Sequence, residues 1–541
     1  MKGKFTLLLL SLLSALLLSA SWYWHLSICI FFAFVPLLFI EDKLSHAPKS
    51  RLKLFAYSYL TFFTWNILVT WWVVYASLEG ASLAFLANSL LMAFVFLIFS
   101  ATKKRINKHW AIWLLVPIWI AWEHGHTIWD LTWTWLTIGN AFAFNTNWIQ
   151  WYEFTGTSGG TLWALATNIL IFQTLKNNAS LKLVSKPVFK IAGIIIIPIL
   201  FSFIILFIYT IKQANNSKSN AQQVVVVQPN IDPYNTKFTL DYQSQFLQML
   251  RLIKGRVTEE TNFLVLPETF ITDDIDEAKV KTDQSIQWFR DSLLKKFPHL
   301  KIITGGNTYV LYENKEKATA TARKELSSER YYDYFNSAIY IDNSRVQVYH
   351  KSKLVPGVER MPFPALLKPL ESLAINMGGT MGSLGTQDTR DVFTNDSMGT
   401  SIAPVVCYES VYADYVAEYI RNGANFIFII TNDGWWQDTP GYIQHLNYAR
   451  MRAIENRRQI ARCANTGISC FISEFGTISE TTNWWEEAVI EKKMYPNNDL
   501  TFFSRFGDLI SYFSVICSLL FIAWSFLQAY LAGKQRSIPR N

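Results

Sequence analysis

Val224-Val225-Val226-Val227-Gln228-Pro229-Asn230 is where this chain stops reading as membrane helices and starts reading as a globular domain. A run of β-branched residues closed by Gln-Pro-Asn predicts a buried strand ending in a turn. The shape recurs in Phe263-Leu264-Val265-Leu266-Pro267-Glu268, Ile302-Ile303-Thr304-Gly305-Gly306-Asn307, Asn336-Ser337-Ala338-Ile339-Tyr340-Ile341, Ile402-Ala403-Pro404-Val405-Val406-Cys407 and Phe426-Ile427-Phe428-Ile429-Ile430-Thr431. Helical stretches at 241–254 and 281–296 alternate with these runs, which makes the domain α/β. Polar residues at strand ends are where such folds place their chemistry, and Glu268 and Cys407 both stand there.

On either side of this domain the composition changes. The 541 residues are 51% hydrophobic and only 17% charged, too apolar for an ordinary soluble protein of this length. Apolar runs free of Asp, Glu, Lys and Arg predict about eight membrane spans, at 5–20, 26–40, 54–78, 81–100, 110–122, 161–175, 191–211 and 509–531. The expected organisation is a polytopic α-helical membrane domain over 1–211, a globular domain over 212–507, and a last span with its tail over 508–541. The first two spans are short and joined only by Ser21-Trp22-Tyr23-Trp24-His25, which predicts a tight hairpin.

The net charge of +8 resides mostly in short loops between the apolar runs, so it orients a membrane protein and does not point to nucleic acid. Lys43, Lys49, Arg51 and Lys53 share one loop, Lys103, Lys104, Arg105 and Lys108 the next but one, and Lys176, Lys182, Lys186 and Lys190 another. The loops between them carry almost no Lys or Arg. By the positive-inside rule the basic loops and both termini face the cytoplasm, and 212–507 faces outward. Residues 1–21 also have the basic start, apolar stretch and small-residue end of a signal peptide, but they fit the alternation as a retained span. Spans without ionisable residues argue against a transporter or pump. The loop 123–160, with Trp129, Trp133, Trp135, Trp148 and Trp151, reads either as an interfacial aromatic belt or as the wall of a cleft admitting lipid.

Cys29 and Cys517 lie in apolar segments, which leaves Cys407, Cys463 and Cys470 in the globular domain. There is no CxxC or Cys/His metal spacing, and His124-Gly125-His126 lacks further ligands, so neither a metal nor a diffusible cofactor is expected. Cys463 and Cys470 fall in or beside strands, a poor setting for a disulfide.

Leu266-Pro267-Glu268-Thr269, Lys351-Ser352-Lys353-Leu354-Val355-Pro356 and Val406-Cys407-Tyr408-Glu409 resemble, in order, the three active-site motifs of the carbon–nitrogen hydrolase (nitrilase) superfamily. Each motif alone is weak; three together in family order are a strong signal. The resemblance implies an α-β-β-α sandwich with Glu268 as general base, Cys407 as nucleophile and Lys351 opposite the oxygen of a tetrahedral intermediate. A nearby ammonium is expected to lower the thiol's pKa. Lys353 is the rival for the lysine's place, but the family spacing favours Lys351.

The membrane frame narrows the resemblance to the apolipoprotein N-acyltransferases of the bacterial inner membrane. Val355-Pro356-Gly357-Val358-Glu359-Arg360-Met361-Pro362-Phe363 is similar to their stretch after the lysine, which carries Glu359 over as a second carboxylate. Tyr408 and Glu409 follow the nucleophile as they do in that family and are expected to orient it. Asn432-Asp433-Gly434-Trp435-Trp436, Gln444-His445-Leu446 and Asn465-Thr466-Gly467-Ile468 also match and are expected to shape the site, whereas the Arg/Glu run 449–455 also reads as a salt-bridged helix. Gly357-Val358 and Lys237-Phe238 depart from the common pattern.

The resemblance implies a catalytic domain in the periplasm, a monomer, a phospholipid donor, expected to be phosphatidylethanolamine, and a diacylglyceryl-cysteine apolipoprotein acceptor. Cys407 would carry the acyl chain as a thioester between them. The Gly-rich segment 377–385 is a candidate lid to keep water from that thioester. A membrane-tethered amidohydrolase using the same three residues is the runner-up.

Overall fold

The computed structural model describes residues 2–23, 26–45, 49–177, 186–215, 220–237, 239–326, 328–361, 363, 383–395 and 399–536. They divide into two compact units, one of Met1–Trp71, Ala81–Phe207 and Asp508–Asn541 and one of Trp72–Gly80 and Ile208–Gly507.

The first unit is helical. Among the described residues, four helices are long and apolar enough to cross a membrane: Lys4–Tyr23, Leu78–Ile106, Lys186–Lys212 and Leu509–Leu531. Further helices at Val35–Leu44, Ser50–Thr70, Leu115–Ile128 and Tyr152–Asn177 accompany them. The second apolar run is not one helix. A 3-10 turn, Ser27–Phe31, precedes the ten residues Val35–Leu44, and the latter carry Glu41, Asp42 and Lys43 in their last turn.

Helix Leu115–Ile128 also runs further than the apolar pattern indicates and takes in Glu123. That carboxylate is buried yet satisfied, since it accepts from Trp119 Nε1 at 3.1 Å, the Ile138 amide at 2.8 Å and Thr161 Oγ1 at 2.7 Å. Its partners are all structural, which is why an ionisable group there does not mark an ion path. They pin the aromatic loop, where Thr134–Leu136, Ile138–Phe142 and Thr146–Trp148 form 3-10 turns. Trp135, Ile138 and Phe142 are buried, so this part of the loop is core and not an exposed aromatic belt.

The second unit contains two β-sheets. Their strands are β1 (Gln222–Gln228), β2 (Thr261–Val265), β3 (Ile271–Asp276), β4 (Lys301–Tyr312), β5 (Arg323–Lys324), β6 (Tyr331–Ile341), β7 (Val346–His350), β8 (Phe393–Asn395), β9 (Thr400–Val406), β10 (Phe426–Thr431), β11 (Ile460–Ala464), β12 (Cys470–Ile472), β13 (Ile478–Ser479) and β14 (Ala488–Met494). One sheet runs β14-β1-β2-β4-β6-β5, with β3 beside β4 and β7 beside β6; the other runs β13-β12-β11-β10-β9-β8.

Alternation along β1 explains the layering, because successive side chains point to opposite faces. Val225 and Val227 join Leu264, Ile302 and Ile339 under the helices Tyr242–Leu252 and Gln284–Phe289, burying Phe246, Met249 and Phe289. The other face meets the second sheet, where Phe263 sets its ring edge against Phe428 at 5.5 Å and the Cys463 thiol donates to the Val227 carbonyl. Helices Ala413–Arg421 and Pro440–Asn456 pack on the second sheet's side. The expected α-β-β-α order is present.

Candidate active site

Three chain turns at strand ends build the site. β2 ends at Val265, and Pro267-Glu268 follows; β7 ends at His350, and Lys351 is the next residue; β9 ends at Val406, and Cys407 is the next. All three side chains are buried, with relative exposures of 6% for Glu268, 1% for Lys351 and 9% for Cys407.

Lys351 stands between two carboxylates, donating from Nζ to Glu268 Oε1 at 3.0 Å and to Glu359 Oε1 at 2.7 Å. Asn336 Nδ2 donates to the same two oxygens at 2.8 and 3.1 Å. β6 places it there, because Ser337 pairs with His350 across the β6–β7 ladder and the Lys351 amide donates to the Asn336 carbonyl at 2.8 Å. Glu359 is aimed by its other oxygen, which accepts from the Val355 amide at 2.8 Å. Lys353 lies elsewhere, its ammonium over the rings of Tyr412 and Tyr415, so Lys351 is the lysine that meets the two carboxylates.

The turn carrying Glu268 has Thr269 at φ 48°, a left-handed conformation unusual for a β-branched residue. Lys237 holds it. Its Nζ donates to the Glu268 carbonyl at 2.9 Å and to Thr269 Oγ1 at 2.6 Å. Gly305 on β4 runs against the same turn so closely that a Cβ there would lie 2.4 Å from the Thr269 nitrogen. Cys407 also sits in a left-handed turn, at φ 48°.

Glu409 ties the cysteine turn to the lysine turn. It accepts from the Val406 amide at 2.9 Å and the Ser352 amide at 2.7 Å, and from the hydroxyls of Tyr349 and Tyr415 at 2.8 and 2.7 Å. Burial raises its pKa, and these donors oppose that rise. Tyr408 is buried with its ring edge-on to Tyr412.

The electrostatics assign resting protonation states. Burial works against the Glu268 carboxylate, but Lys351, Asn336 and Lys237 outweigh it and hold the pKa below the usual range. Burial likewise opposes the Lys351 charge, and Glu268 with Glu359 overcomes it. The Cys407 thiol is pushed up, first by burial and then by Glu268, more strongly than Lys351 and the Thr431 hydroxyl lower it. Lys351 lowers the thiol's pKa as expected, but burial and Glu268 outweigh it. The site rests as a neutral thiol, an ionised carboxylate and an ammonium.

Asn336 and Lys237 were not singled out as site residues by sequence reasoning. Asn336 heads a strand-like run, and Lys237 registers only as a departure from a family pattern, so neither carries a local signal of its role. The Arg/Glu run is structural, as its salt-bridged reading has it: Arg452 and Glu455 pair at 2.8 Å in the helix, both buried. Phe238 and residues 377–382 of the candidate lid lie outside the described residues; of the lid's end, Leu384 donates its amide to the Glu359 carbonyl at 3.0 Å.

Comparison with known proteins adds to this geometry. Residues 223–495 match the carbon-nitrogen hydrolase family, and residues 14–170 match the apolipoprotein N-acyltransferase N-terminal domain. An apolipoprotein N-acyltransferase of Chlorobaculum tepidum is 30% identical over 517 residues, covering 93% of each chain. Another, of Thermotoga maritima, is 23% identical over 535 residues, covering 95% of this chain and 92% of its own.

Proposed function

This chain belongs to the apolipoprotein N-acyltransferase family and N-acylates lipoproteins, and we propose that it does so through Cys407, Glu268 and Lys351 by way of a thioester on Cys407. The observation that carries the reading is the single buried cluster in which Lys351 bridges Glu268 and Glu359 while Glu268 bears electrostatically on Cys407.

In the first step Glu268 takes the Cys407 proton as sulfur attacks the carbonyl carbon of a phospholipid ester. The negative charge that develops on the carbonyl oxygen is stabilised by the Lys351 ammonium, fixed in advance by its two carboxylates. The intermediate collapses with cleavage of the ester C–O bond, and the proton on Glu268 passes to the departing lysophospholipid oxygen. In the second step the α-amine of the acceptor's diacylglyceryl-cysteine attacks the thioester carbon, Glu268 takes the amine proton, and as the C–S bond breaks that proton passes from Glu268 to the Cys407 sulfur, regenerating the thiol. Glu359 and Asn336 keep Lys351 and Glu268 in register, and Glu409 fixes the cysteine turn against the lysine turn.

The donor in this reading is phosphatidylethanolamine. The charge pattern of the loops supports about eight spans, cytoplasmic termini, and a catalytic domain over 212–507 held at the periplasmic face of the inner membrane, where both lipid-borne substrates lie. The enzyme acts as a monomer with no metal or cofactor. The full-length relatives are acyltransferases, which disfavours the hydrolytic alternative.

The test is to incubate purified protein with labelled phosphatidylethanolamine, look for an acyl adduct on Cys407 by intact-protein mass spectrometry, and then add a diacylated lipopeptide. An adduct that moves to the peptide amine is expected, and Cys407→Ser is expected to lack it while remaining folded. Free fatty acid with no N-acylated peptide would refute the transferase reading.

A further inference from the structure

Behind the nucleophile lies a second polar cluster that the reaction above does not use. The Cys407 carbonyl accepts from Ser410 Oγ at 2.7 Å and faces His445 Nε2 at 3.1 Å, and Nε2 is also 2.8 Å from Ser410 Oγ. On the far side of the ring, His445 Nδ1 meets Asp433 Oδ1 at 3.0 Å. Asp433 is itself fixed by the Thr431 hydroxyl at 2.8 Å and by Arg462 Nη2 at 2.6 Å. His445 and Asp433 are almost fully buried. Trp436 lies edge-on to the imidazole at 5.5 Å, and Trp72 packs on Trp436 at 4.8 Å.

The hydrogen on Nε2 follows from its neighbours. The one hydroxyl hydrogen of Ser410 is directed at the Cys407 carbonyl, so toward His445 that oxygen can only accept. The carbonyl oxygen is also an acceptor. A bare Nε2 there would set lone pair against lone pair, so Nε2 carries a hydrogen; the Asp433 carboxylate oxygen, an acceptor facing Nδ1, places one there by the same rule, with Arg462 Nη2 3.2 Å from that nitrogen.

We propose that His445 is a positioning residue for Cys407: oriented by Asp433, it clamps the Cys407 carbonyl and thereby holds the left-handed turn that aims the thiol. The physical need is plain from the backbone. A non-glycine residue at φ 48° is strained by ~1–3 kcal/mol and persists only where its surroundings over-determine it. Peptide planarity means that holding the carbonyl fixes ψ of Cys407. With φ set by the strand end and ψ by the clamp, the Cα–Cβ direction of the nucleophile has no remaining freedom. The carboxylate–histidine pair thus acts on the backbone and not on the sulfur, and it leaves proton transfer to Glu268.

This inference rests on Cys407 being the acyl carrier. The test compares His445→Gln, whose amide can still donate toward the carbonyl, with His445→Met, of similar volume and no donor. The single-turnover rate of acyl-adduct formation on Cys407 is measured against phosphatidylethanolamine concentration, alongside thermal unfolding. His445→Met is expected to lose ~100-fold in the saturating rate, the scale of an ångström-sized misplacement. The half-saturating phospholipid concentration is expected to change little, and His445→Gln to recover most of the rate. Ser410→Ala, which removes the other donor and leaves His445 in place, is expected to show a smaller loss in the same direction. A folded His445→Met that acylates at the wild-type rate, or a His445→Gln no faster than His445→Met, would overturn the proposal. If the wild type forms no adduct at all, the functional reading fails and not this one alone.

Discussion

Replacing Gly305 with alanine tests whether the position of Glu268 is set by close backbone contact. Gly305 is not in a left-handed conformation, so alanine meets no intrinsic backbone penalty there; what it meets is the catalytic turn. Its Cβ would stand 2.4 Å from the Thr269 nitrogen and 2.6 Å from the Glu268 Cα, whereas ordinary contact begins near 3.4 Å. The turn or β4 must therefore yield by about 1 Å. The atoms in the way are backbone, and Lys237 and the Gly305 amide, which donates to the Pro267 carbonyl at 3.1 Å, tie that backbone down. An ångström of displacement at a reacting group costs ~100-fold in rate. The expected result is a Gly305→Ala protein that forms the Cys407 acyl adduct ~100-fold more slowly in single-turnover mass spectrometry. Gly306→Ala is the control, because its Cβ meets side-chain atoms of Ile271 and Ile339 at 3.2 Å and backbone no nearer than the Ile271 carbonyl oxygen at 3.5 Å, an ordinary contact, and should slow the reaction by no more than a few-fold. A Gly305→Ala enzyme within about threefold of wild type, or one no slower than Gly306→Ala, would refute the reasoning.

Lys351→Met leaves Glu268 and Glu359 without their shared cation in a buried site; it is expected to destabilise the protein by ~3–5 kcal/mol in denaturant unfolding and to abolish the adduct. Adding Glu359→Gln to that variant should restore part of the stability, and no recovery would argue against carboxylate repulsion as the cause. Lys237 makes a prediction about pH. Burial lowers its pKa to about 8, below the ordinary lysine value of 10.5, despite the opposing pull of Glu268 and Cys407. Between these values the unfolded chain binds the proton more tightly than the folded one, so folding stability rises with pH across that window. Relative to Lys237→Met, the wild type should gain at most ~3 kcal/mol between pH 8 and 10.5, with a constant difference below pH 8. A difference that stays flat across the window would show that the buried ammonium is not under that strain.

Much of the fold and part of the site were legible in the sequence. The apolar runs at 224–227 and 426–430 announce buried strands because burial on both faces leaves no room for polar alternation. Glu268, Lys351 and Cys407 stand out because each follows such a run or sits in a recognisable motif, and Glu359, Tyr408 and Glu409 follow in local register with them. Local patterns were less able to show where helices end. Glu123 reads as loop by composition, yet the helix continues through it because the Ile138 amide and Thr161 supply the partners a buried carboxylate requires.

What only the tertiary structure decided are the pairings that depend on register and on chain reversal. Asn336 reaches Glu268 and Glu359 because β6 and β7 are antiparallel in one particular register, and a slip by one residue would turn it to the opposite face. Lys237 reaches the Glu268 turn, and His445 the Cys407 carbonyl, across 31 and 38 residues of intervening chain. The sequence by itself marked Glu268, Lys351 and Cys407 as the candidate side chains, since hydrophobic period and motif order are written locally. The balance of charges around Cys407, which leaves it a thiol near an ionised carboxylate, and the contacts of Lys237 and His445 with the two left-handed turns arise from groups distant in sequence. Local periodicity reports burial, and it is silent on which buried groups will meet.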